Sequence, residues 1–274
     1  MSIPKNFLWL ANAAVILSAA CVPYAGNFAI NTSPVPIKAP FLPLDPGAAH
    51  IDTLHFSVRA YGEQQAEAIG KEAELSYSQI MLDTNLMTFQ SGLFHIVVYG
   101  SDQEYIQKTK QPAWSGGVTL GNAIYSFNGP ELGQTIAHEM THVIFYEYMK
   151  RMDSKQRWVN EGLAVYHQLK AAKNEGFFGD YFQNVRPIMI QNPIPMQQMI
   201  GIVPATERAR SVSIWYCEAN SMIEFMIKKG GKIGFSIFIK DLRKNDDFDS
   251  AISNAFPQWN SLDSFYQDWK ASLQ

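Results

Sequence analysis

Apolar and polar positions divide the chain into three stretches of different character. Residues 7–22 form a nearly unbroken apolar run, interrupted by Asn12 and Ser18 and preceded by Lys5. The run is short for a bilayer span, which takes about 20 apolar residues, and it has the form of a secretory signal's hydrophobic region. Pro34, Pro36, Pro40, Pro43 and Pro46 then recur at short intervals. Proline withholds the backbone donors that helix and sheet require, so this stretch reads as a tether. The pattern predicts a signal peptide or membrane anchor over 1–20, a proline-rich linker over 21–50, and a folded unit over 51–274.

Within the folded unit the period changes along the chain. Residues 51–60 alternate, with Leu54, Phe56 and Val58 on one side, and predict a strand. Over 63–82, Ala66, Ile69, Ala73, Tyr77 and Ile80 form one helical stripe. Residues 93–99 read as a buried strand and 102–108 as a short helix. Gly116-Gly117 opens two short strands, 118–120 and 123–127. Asn128-Gly129-Pro130-Glu131 has the signature of a helix start, and the pattern from there onward is helical. Strands precede helices, so the expected class is α+β: a small mixed sheet over 51–128, a mainly helical part over 129–274, and a site at their junction.

Composition narrows the possible chemistry. An apolar share of 47%, a charged share of 17% and a net charge of −3 suit a folded globular protein and supply no basic field for nucleic acid. The two cysteines, Cys21 and Cys217, are too few for a disulfide scaffold or a thiolate metal site. A bound metal would have to be held by histidine and carboxylate.

Such ligands occur on the helix predicted from about residue 130 to 150. His138 and His142 are four residues apart, on one helical face, so both imidazoles can reach one ion. Neutral imidazole suits zinc. Glu139 is rotated off that face, where it can meet a water on the metal. The third ligand is sought in Trp158-Val159-Asn160-Glu161-Gly162-Leu163-Ala164. Eighteen residues lie between His142 and Glu161. That is room for the first helix to end, a turn at Met152-Asp153-Ser154, and a second helix running back. Glu161 has apolar neighbours, so its carboxylate is expected to be buried and to need a partner. Of the remaining histidines, His50, His55, His95 and His167, His55 and His95 lie on strands and read as structural or surface groups, and His167, nearly two turns past Glu161, reads as off the zinc face.

The pair His-Glu-Met-Thr-His and Asn-Glu-Gly-Leu-Ala, at this spacing, resembles the gluzincin zinc peptidases. More narrowly it resembles the small bacterial peptidase-MA-like domain proteins. The resemblance runs from about residue 53 to 273 and includes His55-Phe56, Glu74 and Tyr77, 114–117, and Phe265 with Trp269. It implies a thermolysin-like fold and one Zn²⁺ per chain on His138, His142 and Glu161, with Glu139 as general base. It also implies a tyrosine that opens a helix and donates to the oxyanion, a role that Tyr216 in Tyr216-Cys217-Glu218-Ala219 would fill. Asn160 would support the zinc helix or bind substrate. The family holds the substrate backbone on an edge strand, which places Gly117, Ala123 and Tyr125 beside the substrate. The aminopeptidases carry a glutamate on that strand; Gly121-Asn122-Ala123-Ile124-Tyr125 has none, which favours endopeptidase cleavage.

Leu17-Ser18-Ala19-Ala20-Cys21 resembles a lipoprotein signal, with cleavage after Ala20 and lipidation of Cys21. It departs from that pattern in the place of its large aliphatic residue. Export by a cleaved signal, lipidation at Cys21 and an uncleaved anchor are three possible outcomes. The resulting expectation is a zinc-dependent peptidase exported to a bacterial envelope and acting on peptide or protein substrates. Its rival is a zinc-binding domain that engages an envelope partner without cleaving it.

Overall fold

The computed structural model describes residues 41–86, 92–150, 153–172, 185–202 and 209–274. The expected signal or anchor, the lipidation site Cys21, the linker up to residue 40 and Met152 of the expected turn lie outside the described residues.

The fold is mixed α+β, with a five-stranded sheet in the N-terminal part and a mostly helical C-terminal part. The strands are β1 (Ala49–Asp52), β2 (Phe56–Ala60), β3 (Phe94–Tyr99), β4 (Gly117–Leu120) and β5 (Ala123–Phe127). Their order is β1-β2-β3-β5-β4, so β4 lies at an edge. β2 and β3, and β3 and β5, pair in parallel; β1 with β2 and β4 with β5 pair antiparallel. The chain crosses from β2 to β3 through helix α1 (Glu63–Thr84). Helix α2 (Asp102–Thr109) follows β3 and is capped by the Ser101 side chain, which accepts from the Glu104 amide.

Strand alternation gives the sheet two faces. Phe94, Ile96, Val98 and Ile124 point into the main core, with α1 and helix α3 (Leu132–Met149). Tyr99, Val118, Ala123 and Tyr125 point the other way, into a small cluster with Tyr105 of α2 and with Phe41 and Leu44. The chain from residue 41 is thus held on the domain: the Tyr99 hydroxyl donates to the Leu42 carbonyl at 2.9 Å and the Lys108 ammonium to the Pro43 carbonyl at 3.0 Å. With β1 starting at Ala49, folded structure begins earlier than the expected boundary near residue 50.

The strand expected over 51–60 is two strands joined by a tight turn. Glu74 of α1 explains the break. One carboxylate oxygen accepts from the Thr53 hydroxyl at 2.6 Å and from the His55 amide at 2.8 Å, and the other lies 2.6 Å from His55 Nδ1. These bonds bend the backbone between β1 and β2, and Leu54, expected on the buried side, is 79% exposed.

After α3 come helices α4 (Arg157–Ala171), α5 (Ala209–Asn245), α6 (Phe248–Ala255) and α7 (Leu262–Ser272). α5 breaks at Gly231, whose φ of 66° a residue with a β-carbon rarely adopts. The helices share a core rich in aromatics, with Trp158, Trp215, Phe235, Phe238, Phe256 and Trp269 all fully buried. A buried ion-paired group helps hold it together. Asp83, at the end of α1, meets Lys170 of α4 at 2.6 Å and Lys232 of α5 at 2.9 Å, tying three helices together. Among the described residues no helix is long and apolar enough to cross a membrane.

Candidate metal centre

α3 is buried without interruption from Ile136 to Phe145. Its neighbour α4 enters through a 3₁₀ turn, Ser154–Gln156, where the Asp153 side chain accepts from the Lys155 amide. Contacts pair His138 with Gln168, Thr141 with His167, and His142 with Asn160. Rising numbers on α3 meet falling numbers on α4, so the two helices are antiparallel.

This pairing brings three ligand-type side chains together. His142 Nε2 lies 3.2 Å from His138 Nε2. Glu161 Oε2 lies 3.4 Å from His142 Nε2 and 3.8 Å from His138 Nε2. The three residues are buried and could hold a metal ion. Bonds of about 2.0–2.1 Å at tetrahedral angles set ligand atoms about 3.3 Å apart, close to these separations, and leave a fourth corner open. Both Glu161 oxygens are buried without a close hydrogen bond, and the nearest group that could carry a positive charge is the His142 ring at 3.4 Å. A buried carboxylate in that state is costly unless a cation meets it.

The outer imidazole nitrogens are held as well. His138 Nδ1 lies 3.0 Å from Gln168 Oε1, and His142 Nδ1 lies 3.1 Å from Asn160 Oδ1. Amide oxygens only accept, so each Nδ1 carries a proton, and each ring, when neutral, turns its Nε2 lone pair inward. Asn160 is kept in place by donating to the Tyr146 hydroxyl at 3.3 Å. In the metal-free cluster the two rings titrate apart. Burial lowers His138 well below the ordinary histidine value, and the neighbouring His142 lowers it further. Burial also opposes charge on His142, but the Glu161 carboxylate overcomes this and lifts it to about 9.

No protein-family model matches this chain, and no curated protein matches it significantly.

Glu139 is buried beside the cluster. The Thr119 hydroxyl, from the edge strand β4, lies 2.9 Å from Glu139 Oε2 and 3.0 Å from the Glu139 carbonyl oxygen. Gly117 sits on the same face of β4, so close that a β-carbon there would come within 3.2 Å of Glu139 Cγ and 2.7 Å of Thr135 Cγ2. The structure therefore brings Gly117 to the site. Ala123 and Tyr125, named with it from the sequence, lie on the opposite face, where Phe41 meets the Tyr125 ring edge-on at 4.9 Å. Strand parity separates them from Glu139: Ala123 and Tyr125 pair with Leu120 and Val118, not with Thr119.

Tyr216 was expected to open a helix; it lies inside α5, which is already helical from Ala209. It is buried against Trp215, one turn before Ala219, where α5 touches α4. His167, also buried, faces Thr141 at 3.1 Å and Asp83 at 3.8 Å, with burial lowering its pKa to about 3. His55 is bound to Glu74 and stacks on Tyr77 at 4.2 Å. Gln168, Tyr146 and Thr119 were not singled out from the sequence. Gln168 is seven residues past Glu161 and Tyr146 four past His142, so helical spacing carried a signal for both. Thr119 had none.

Proposed function

We propose that this chain is a zinc-dependent peptidase of gluzincin type. The carrying observation is the convergence of His138 Nε2, His142 Nε2 and Glu161 Oε2, with both histidine tautomers set from behind and Glu139 alongside. The donor set of two neutral imidazoles, one carboxylate and an open corner is that of a catalytic zinc site. Zinc held there would supply Lewis acidity, lowering the pKa of a water and polarising the scissile carbonyl. Glu139 would take the water's proton and pass it to the departing amine nitrogen. Tyr216 is our candidate for the donor to the oxyanion.

The edge position of β4, next to Glu139, supports binding of an extended peptide as an added strand. A peptide lying there would run across the site without its end being captured, which agrees with endopeptidase cleavage and with the missing glutamate on 121–125. A thermolysin-like arrangement of sheet, edge strand and metal helix belongs to the same proposal. So does export to a bacterial envelope, by a cleaved signal or through lipidation of Cys21.

The test is a peptide-library digest read by mass spectrometry, with and without chelator, beside elemental analysis. The reading expects about one zinc per chain, chelator-sensitive cleavage, and a Glu139→Gln variant that keeps its metal and cuts nothing. A purified chain that holds no metal and regains none on addition would sink the proposal. A chain that keeps zinc but cleaves no peptide would be the binding domain instead.

A further inference from the structure

We propose that Thr119 is a positioning residue for Glu139, its hydroxyl holding the carboxylate and tying the base to the edge strand on which a peptide would lie. The inference rests on the peptidase reading for its catalytic consequence, but not for the contact itself.

Thr119 lies on β4 and Glu139 on α3, twenty residues apart in sequence. The hydroxyl has one proton and two acceptors in reach, the Glu139 carboxylate at 2.9 Å and its carbonyl at 3.0 Å. In the ionised form that a general base requires, the carboxylate is the stronger acceptor and takes the proton on Oε2. The carbonyl of a residue inside a helix already has its own backbone donor, so the helix has no need of this bond. Two residues earlier on the same strand, Gly117 lets β4 lie close to α3: a β-carbon there would clash with Thr135 Cγ2 at 2.7 Å and press on Glu139 Cγ at 3.2 Å. The glutamate side chain is thus confined at its stem by Gly117 and at its head by Thr119, both on one strand. Any movement of β4 as a peptide docks would carry the base with it. Proton transfer depends steeply on the orientation of the base, and that is what such confinement supplies.

A threonine in a strand has a plainer use, since its branched side chain suits β structure. The experiment separates the two roles. Thr119→Val keeps shape and removes the hydroxyl; Thr119→Ser keeps the hydroxyl and removes the methyl. Full-length zinc-loaded protein is assayed on a quenched-fluorescent peptide built on the fastest-cut sequence of the library. We expect Thr119→Val to lose about tenfold or more in kcat with little change in KM and full metal content, and Thr119→Ser to remain within about threefold of wild type. A valine variant with wild-type kcat overturns the proposal. So does a serine variant that falls as far as valine.

A second measurement needs no turnover. Thermal unfolding of Thr119→Val, Glu139→Ala and the double variant forms a cycle in which a real contact makes the effects non-additive. Additive losses overturn the contact. If wild type holds zinc and cleaves nothing, the peptidase reading falls and this cycle alone decides whether Thr119 holds Glu139.

Discussion

Gly162 rests against the Ala219 carbonyl so closely that a β-carbon there would lie 2.6 Å from the oxygen. The glycine follows Glu161 directly, so the backbone contact that seats α4 on α5 is one residue from a candidate ligand. Helical glycine costs about 1 kcal/mol relative to alanine, and here the close approach of the two helices requires it. A Gly162→Ala variant is expected to lose about 2 kcal/mol of stability from overpacking and to bind metal more weakly, because α4 must move. Urea unfolding and a competition titration with a metal indicator would check this. Unchanged metal affinity would show that Glu161 does not depend on this seat.

Asn160 and Gln168 fix the two imidazoles from behind. Replacing either by alanine is expected to weaken metal binding by about 10–100-fold, the usual cost of losing a group that orients a histidine ligand. Asn160→Asp, which still accepts from His142 Nδ1, is expected to retain most of the affinity. The same indicator titration gives the answer; an alanine variant as tight as wild type would contradict the role.

Metal binding is also expected to release a proton. The metal-free cluster keeps His142 charged up to about pH 9, whereas His138 is already neutral at ordinary pH. A metal ligand must be neutral imidazole, so at pH 6 about one proton leaves for each ion bound. Calorimetry in two buffers of different ionisation enthalpy counts it. No release at pH 6 would mean that Glu161 does not hold a proton on His142.

Glu218 of α5 predicts a pH-dependent stability. Burial pushes its carboxyl up to about 8, against the opposing pull of the Ile194 amide, which donates to Oε2 at 2.9 Å. Its other oxygen is buried without a hydrogen-bond partner. Below about pH 4.5 both folded and unfolded chains hold the proton, so this group contributes no slope. From about 4.5 to 8 only the folded chain keeps it, so stability falls as pH rises; above 8 the effect is constant. Glu218→Gln stays neutral throughout. Its Tm advantage over wild type should grow across that interval and then level off. A constant difference across the range would rule out a buried neutral Glu218.

Local periodicity made much of the scaffold legible. The stripe on α1 lies buried at Ala66, Ile69, Ala73 and Ile80 and half-buried at Tyr77. The four-residue step from His138 to His142 and the apolar surroundings of Glu161 were enough to name the three side chains that converge. What escaped was set by partners distant in sequence. Glu74 reaches back from α1 to break the strand at Leu54, and no alternation within 51–60 could show it. Tyr125 was misplaced because a five-residue strand has two faces, and only pairing with β4 decides which faces Glu139. Thr119 depends on the register of β4 over α3, and Gly162 on α5 arriving 57 positions later at Ala219.

The three candidate ligands occupy a single helical hairpin, between residues 138 and 161. An ion bridging them closes a loop of about twenty residues, and the entropy of closure grows only slowly with length. Contacts this local form early in a folding chain. An ion there would therefore act as a clasp on α3 and α4, tightening one hairpin without reaching the sheet.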